Sequence, residues 1–235
     1  MTSPAASTLV LTGANRGIGL ELARRFLAAG GWHIHAGCRD PESADALAEL
    51  ASANPDRLTV HPLEVTDAAS VSAFAAALGD TPVDLLLNNA GMLNPHQTLD
   101  DLDFDAWERE LQVNTLAPMR MALALRPQLR RAANPRIVTI SSQMGSLARP
   151  RSGSYAYRSS KAAVNKAMQG LSLDLHGEGI CVVVIHPGWG RTDMGGAGAE
   201  IDPQESAAGI FSVATRLTLA DTGRFLQWNG EEHPW

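Results

Sequence analysis

Residues 7–19 read STLVLTGANRGIG. An apolar run of strand length ends at Thr12, glycines follow at positions 13, 17 and 19, and a segment with helical patterning begins at Gly17. A glycine-rich turn between a strand and a helix serves a particular purpose. The N-terminus of the helix presents unpaired N–H groups and a partial positive charge to an anion, and glycine lets the backbone approach a pyrophosphate closely and take up positive φ. The turn therefore predicts a phosphate-binding corner on an α/β sheet.

The rest of the chain repeats the alternation. Strands are expected near 7–12, 32–37, 58–62, 83–88, 136–141, 180–186 and 223–227, and helices over 17–29, 41–53, 68–78, 104–131, 154–176 and 203–217. Runs such as VDLLL and ICVVVIH are apolar at consecutive positions, as in parallel strands buried on both faces. The pattern predicts an α/β, doubly wound Rossmann-type parallel sheet of about seven strands with helices on both faces, in a single domain over 1–235. Pro118 and Pro127 are expected to break or kink the fourth helix. Residues 188–201, rich in glycine, read as a loop over the active site.

Composition narrows the function. In 235 residues, 45% hydrophobic and 19% charged is ordinary for an ordered globular chain. A formal charge of −6 gives no general attraction to nucleic acid or anionic lipid. No apolar run reaches the roughly 20 residues that span a bilayer, and the motif at Thr12 leaves no room for a cleavable leader, so a cytoplasmic location without a membrane partner is expected. Cys38 and Cys181 lie in strand-like runs without metal-ligand spacing and read as reduced packing residues, with no metal expected.

Two residue placements carry chemistry. The chain has two tyrosines and two lysines, and Tyr157 and Lys161 stand four apart, on one face of the predicted helix. A free phenol, with a pKa near 10, is a poor acid–base group at neutral pH, and a neighbouring cation stabilises phenolate. Tyr155 and Lys166 have no such partner. The second placement is Arg39. Dinucleotide sites selecting NAD carry an acidic residue after the second strand to hold the ribose 2′-hydroxyl. Here Gly37-Cys38-Arg39 occupies that place, with a cation where a 2′-phosphate would lie and Asp40 beside it.

The turn is spaced G-x-x-x-G-x-G, and it is followed in order by NNAG at 88–91, VNT around Asn114, SS at 141–142, YRSSK at 157–161 and HPGWGRTD at 186–193. This series resembles the short-chain dehydrogenase/reductase family over essentially the whole chain, and most closely its C-factor-like and carbonyl-reductase branch. The resemblance implies NADPH/NADP+ as cofactor, held by Gly13, Asn15, Arg16, Gly17, Ile18, Gly19, Arg39, Glu64, Val65, Asn89, Ala90, Gly91, Pro187, Gly188, Gly190 and Thr192 together with Tyr157 and Lys161. It implies a catalytic set of Asn114, Ser142, Tyr157 and Lys161. Ser142 would bond the substrate oxygen, with Ser141 a lesser rival. Tyr157 would give the proton, Lys161 would lower the phenol pKa, and Asn114 would hold a water linking Lys161 to solvent. The chain departs from the family at Glu64, usually Asp, and at Gly190, usually Val or Ile.

The expected activity is reduction of a small-molecule ketone, aldehyde or quinone to an alcohol, in a possible homodimer or tetramer. Two rivals stand beside it. One is an NADP(H)-binding signalling or regulatory protein of C-factor type, against which a full proton-transfer set argues. The other is an NAD-linked secondary-alcohol dehydrogenase, against which Arg16 and Arg39 argue. His96 reads as a solvent-facing loop residue or a pocket residue.

Overall fold

The computed structural model describes residues 6–95, 97–190, 194, 198 and 201–235. His96 and Thr192 lie outside them. Seven strands, β1 (Ser7–Thr12), β2 (Trp32–Cys38), β3 (Leu58–Pro62), β4 (Leu85–Asn88), β5 (Arg136–Ile140), β6 (Cys181–His186) and β7 (Phe225–Gln227), form one sheet. Their order is β3-β2-β1-β4-β5-β6-β7 and every neighbouring pair is parallel. The expected fold class is the observed one.

Side chains alternate across the sheet because successive Cβ atoms point to opposite faces. Leu9 and Leu11 pack on one side against α1 (Gly17–Ala29), α2 (Asp45–Ser52) and α8 (Pro203–Arg216). Val10 packs on the other side against α3 (Ala68–Leu78), α5 (Ala117–Ala124), α6 (Arg126–Leu129) and α7 (Tyr155–His176). Both cysteines are free and buried, as expected of packing residues. Among the described residues no helix is long and apolar enough to cross a membrane.

The chain leaves β1 toward β2 and β3, then crosses back to place β4 on the other side of β1. At such a reversal the loops beyond the carboxyl ends of two adjacent strands diverge and open a crevice. Gly13 follows β1 there, and Asn89–Gly91 follow β4.

Two helices differ from expectation. The second begins at Asp45, not at 41, because Ser43 donates to the Asp40 carboxylate at 2.7 Å and closes a separate turn over 41–44. The fourth divides into α4 (Phe104–Leu111), a π turn over Gln112–Leu116, then α5 and α6. Pro118 has no N–H for the carbonyl of Asn114, and the chain widens one turn earlier, where Ala117 N–H bonds Gln112 O. Leu125 breaks the helix again (φ −97°, ψ 1°), two residues before Pro127.

Candidate active site

The glycine turn is held from below by the loop after β4. The Thr12 hydroxyl accepts the N–H groups of Asn89 and Ala90, both at 3.0 Å, and Asn89 Nδ2 donates to the carbonyls of Thr12 at 3.1 Å and Gly13 at 3.0 Å. Gly13 and Gly17 have φ of 65° and 54°, a region that other residues adopt at a cost. A Cβ on Gly19 would stand 2.1 Å from Gly13 O, so a side chain at that position cannot fit. Arg16 forms the N-cap of α1 without a side-chain capping bond, and no acidic residue lies in the first turn. The turn thus offers an anion backbone donors and close approach without a competing carboxylate.

At the end of β2, Asp40 is engaged with Ser43, whereas the exposed Arg39 has no hydrogen bond or ion pair with any described residue. Glu64 is turned inward on its own loop, accepting from Thr66 N at 3.0 Å and Thr66 Oγ1 at 2.7 Å, and Val65 is part of the core. Their side chains brace this corner, and the Glu64 backbone is engaged as well, its N–H donating to Ser70 Oγ at 2.9 Å and its carbonyl accepting Asp67 N–H at 3.1 Å. Across the crevice, Gly188 has φ 79°, Ser206 Oγ donates to Pro187 O at 2.6 Å, and Gly190 bridges to Ile201. A Cβ on Gly190 would lie 3.8 Å from Ile18 Cδ1, so this loop reaches the glycine turn.

Tyr157, Lys161, Ser142 and Asn114 come together above the ends of β4 and β5. Ser142 accepts Met144 N–H at 3.1 Å and its side chain lies near enough to the Tyr157 phenol to favour phenolate. Lys161 Nζ lies 5.7 Å from the Tyr157 ring centroid and donates to Ile140 O at 3.0 Å. Gly91 fills the gap between the amide and the amine, since a Cβ there would be 3.4 Å from Asn114 Oδ1 and 3.7 Å from Lys161 Nζ. The Asn114 amide itself is fully engaged: Oδ1 accepts Met92 N–H at 2.9 Å, while Nδ2 donates to Met92 O at 2.8 Å and Ser160 Oγ at 3.0 Å. Pro118 leaves the Asn114 backbone carbonyl without an α-helical donor, which makes it an acceptor a water could use.

The two serines separate cleanly. Ser141 Oγ donates to the buried Asn165 Oδ1 at 2.6 Å, and Asn165 Nδ2 reaches Gly145 O at 3.3 Å. Of the pair, Ser142 is the one that acts on the phenol.

Ionisation differs from expectation. Burial pushes the Tyr157 phenol up to about 12, the Ser142 side chain opposing this and Glu110 adding to it. Burial brings Lys161 down to about 8, against a counteracting pull from Glu110. The expected depression of the phenol by Lys161 is absent because the ammonium is directed to Ile140 O and desolvation of phenolate dominates. The phenol accordingly keeps its proton at neutral pH.

Sequence reasoning missed four contributors. Glu110 stands one helical turn before Asn114, and Asn165 one turn beyond Lys161, spacings that put each on its partner's face. Gly145 admits α7 closely, since a Cβ there would lie 2.6 Å from Lys161 C. Gln97, on the loop after β4, accepts Tyr157 N–H through Oε1 at 2.9 Å, and no pattern in the sequence announces it.

A parallel sheet with a glycine turn at its reversal, facing a Ser–Tyr–Lys–Asn group, is the architecture of a nucleotide-dependent oxidoreductase. The short chain dehydrogenase profile matches residues 7–201, and the chain belongs to that family. It is 42% identical over 164 residues to C-signal of Myxococcus xanthus, covering 69% of this chain and 99% of that protein. Among solved structures it resembles an NADPH-bound carbonyl reductase from chicken fatty liver (35% identity, TM-score 0.91), with 99% of this chain and 100% of that one covered. The carbonyl reductase Sniffer of D. melanogaster superposes with TM-score 0.93 at 30% identity, over 99% and 100% of the two chains.

Proposed function

We propose that this chain, acting as one domain, uses NADPH to reduce the carbonyl of a small ketone, aldehyde or quinone to an alcohol, with Tyr157 as proton donor. The observation that carries the reading is the gathering of Ser142 and Lys161 about the Tyr157 phenol, with Asn114 beside them and the glycine turn opposite. Arg39, exposed and without a hydrogen bond or ion pair among the described residues, supports a 2′-phosphate and hence NADPH. The NADPH bound by the chicken relative supports the same choice.

In this reading the residues of Gly13–Gly19 would bind the pyrophosphate, and Asn89–Gly91 and Pro187–Gly190 would hold the rest of the dinucleotide. When bound, the reduced nicotinamide supplies the hydride. Ser142 and Tyr157 orient the substrate oxygen and stabilise the charge that develops on it, and Tyr157 gives up its proton. The high phenol pKa keeps that proton in place until the oxygen becomes basic. Lys161, its amine held by Ile140 O, would contact the ribose. Asn114 would hold the water through which the proton is replaced. Exposed Leu123 on α5 and Leu173 on α7 support a homodimer or tetramer.

The test is NADPH oxidation by purified protein against ketones, aldehydes, quinones and diketones. Turnover with at least one class is expected, and Tyr157→Phe should reduce it by on the order of a hundredfold or more while NADPH affinity is kept. Substantial turnover in Tyr157→Phe would remove the proton-donor assignment.

A further inference from the structure

The helix that carries Tyr157 begins without a side-chain cap of its own. Ser154 stands at its N-cap in the left-handed region (φ 52°, ψ 43°) and makes no capping bond. The cap comes instead from a distant loop. Gln97 Oε1 accepts the N–H of Tyr157 at 2.9 Å, while Gln97 O accepts that of Ser154 at 3.1 Å. The other end of the Gln97 amide is fixed too: Nε2 donates to Glu110 Oε1 at 2.9 Å and to Asn94 O. Glu110 Oε1 also accepts Asn94 N–H.

Glu110 is fully buried, at 0% exposure, and its Oε2 has no hydrogen-bond partner among the described residues. A carboxyl in such a place is costly unless something uses its charge or its proton. It stands one turn before Asn114, on the face of α4 that meets α7, and it interacts electrostatically with both Lys161 and Tyr157. We propose that Glu110 is a positioning residue for proton transfer, whose buried carboxyl anchors the capping Gln97 beneath Tyr157 and sets the charge balance of the Tyr157–Lys161 pair. This rests on the reading of Tyr157 as proton donor.

The surrounding charges leave Glu110 to this pair. On α4, Asp103, which caps it, and Asp105, Glu108 and Arg109 are exposed. On α7, Lys161 and Tyr157 are the titratable groups that act on it, and the described part of the loop over 92–97 contributes none. Burial raises the Glu110 carboxyl, opposed by the Asn94 N–H and by Lys161. A carboxylate there holds the ammonium on Lys161 and resists formation of phenolate on Tyr157, so its charge acts on both groups in the same direction.

Two variants separate charge from grip. Glu110→Gln keeps an acceptor for Gln97 and Asn94 and removes the charge, whereas Glu110→Met fills the volume and removes both. With only two tyrosines in the chain, a Tyr155→Phe background lets phenolate absorbance in the NADP+ complex report Tyr157 alone. In both variants the Tyr157 midpoint is expected to fall by on the order of one pH unit, and the alkaline limb of the reduction profile should move down with it. At the pH plateau Glu110→Met should lose about tenfold more kcat than Glu110→Gln, because Tyr157 loses its anchored cap. A midpoint unmoved in both folded variants would overturn the proposal. Turnover surviving in Tyr157→Phe would instead bring down the proton-donor reading, and the absorbance titration would still judge Glu110.

Discussion

Ser141 donates to Asn165 across 2.6 Å in the interior, while its neighbour Ser142 acts on the Tyr157 phenol. At the end of β5, successive side chains face opposite ways, so adjacent serines of identical chemistry meet different surroundings. The two substitutions should therefore fail differently. Ser142→Ala should cost on the order of a hundredfold in kcat/KM with little change in melting temperature. Ser141→Ala should leave Asn165 Oδ1 buried without its donor and cost about 1–3 kcal/mol of stability, with turnover largely kept. Steady-state kinetics and denaturant melts of the two variants distinguish them, and the reverse pattern would exchange their roles.

Arg39 governs a prediction about cofactor choice. Its neighbour Asp40 is held by Ser43 at 2.7 Å, leaving the guanidinium available. NADPH should bind more tightly than NADH, and Arg39→Asp should weaken NADPH by about tenfold or more while improving NADH. Fluorescence titration of the protein with each nucleotide measures this. Equal affinities in the unmodified protein would show that Arg39 meets no phosphate.

Away from the site, three histidines line β2 and β3. His35 Nδ1 and His61 Nε2 are 3.0 Å apart, and His33 stacks on His35 with ring centroids 4.9 Å apart. Such a pair needs one ring nitrogen to accept, so both rings cannot carry two protons. Burial, followed by the charges of His33 and His61, brings His35 down to about 4. Because the folded value lies below the unfolded one, the unfolded chain binds more protons in that interval. The stabilisation is complete above about pH 6.5 and is lost as pH falls toward about 4. Melting temperature should drop over that range, by the equivalent of about 1–2 kcal/mol after allowing for partial solvent screening. His35→Gln should flatten the drop, and an unchanged acid response in that variant would count against the pair.

The elements most legible in the sequence are those set by local chemistry. Consecutive apolar residues in VDLLL and ICVVVIH marked buried strands, and Gly13, Gly17 and Gly19 marked the turn, because a strand's burial and a glycine's φ are written in the residues themselves. The limits lay where distant atoms decide. Pro118 signalled a disturbed helix, but not that the disturbance would take the form of a π turn over Gln112–Leu116, around Asn114. Within WEREL, Glu110 sits among exposed charges and reads like them, and only the docking of α7 makes it an interior carboxyl. The phenol's high pKa was likewise invisible, since a Tyr–Lys spacing carries no information about where the ammonium points or how dry the ring is.

The burial of Lys161 bears on how the protein would respond to selection. Its amine is brought down to about 8 from an unfolded value near 10.4, so the native state carries an ammonium that the unfolded chain accommodates more readily, at a difference of about 3 kcal/mol. That burden is fully present below about pH 8 and is relieved as pH climbs toward the unfolded value. Directed evolution scored on thermal survival alone would find an apolar residue at this position among its easiest gains, and would harvest sturdier proteins with a disabled centre. Any screen for robust variants of this fold has to read turnover in the same well as heat resistance.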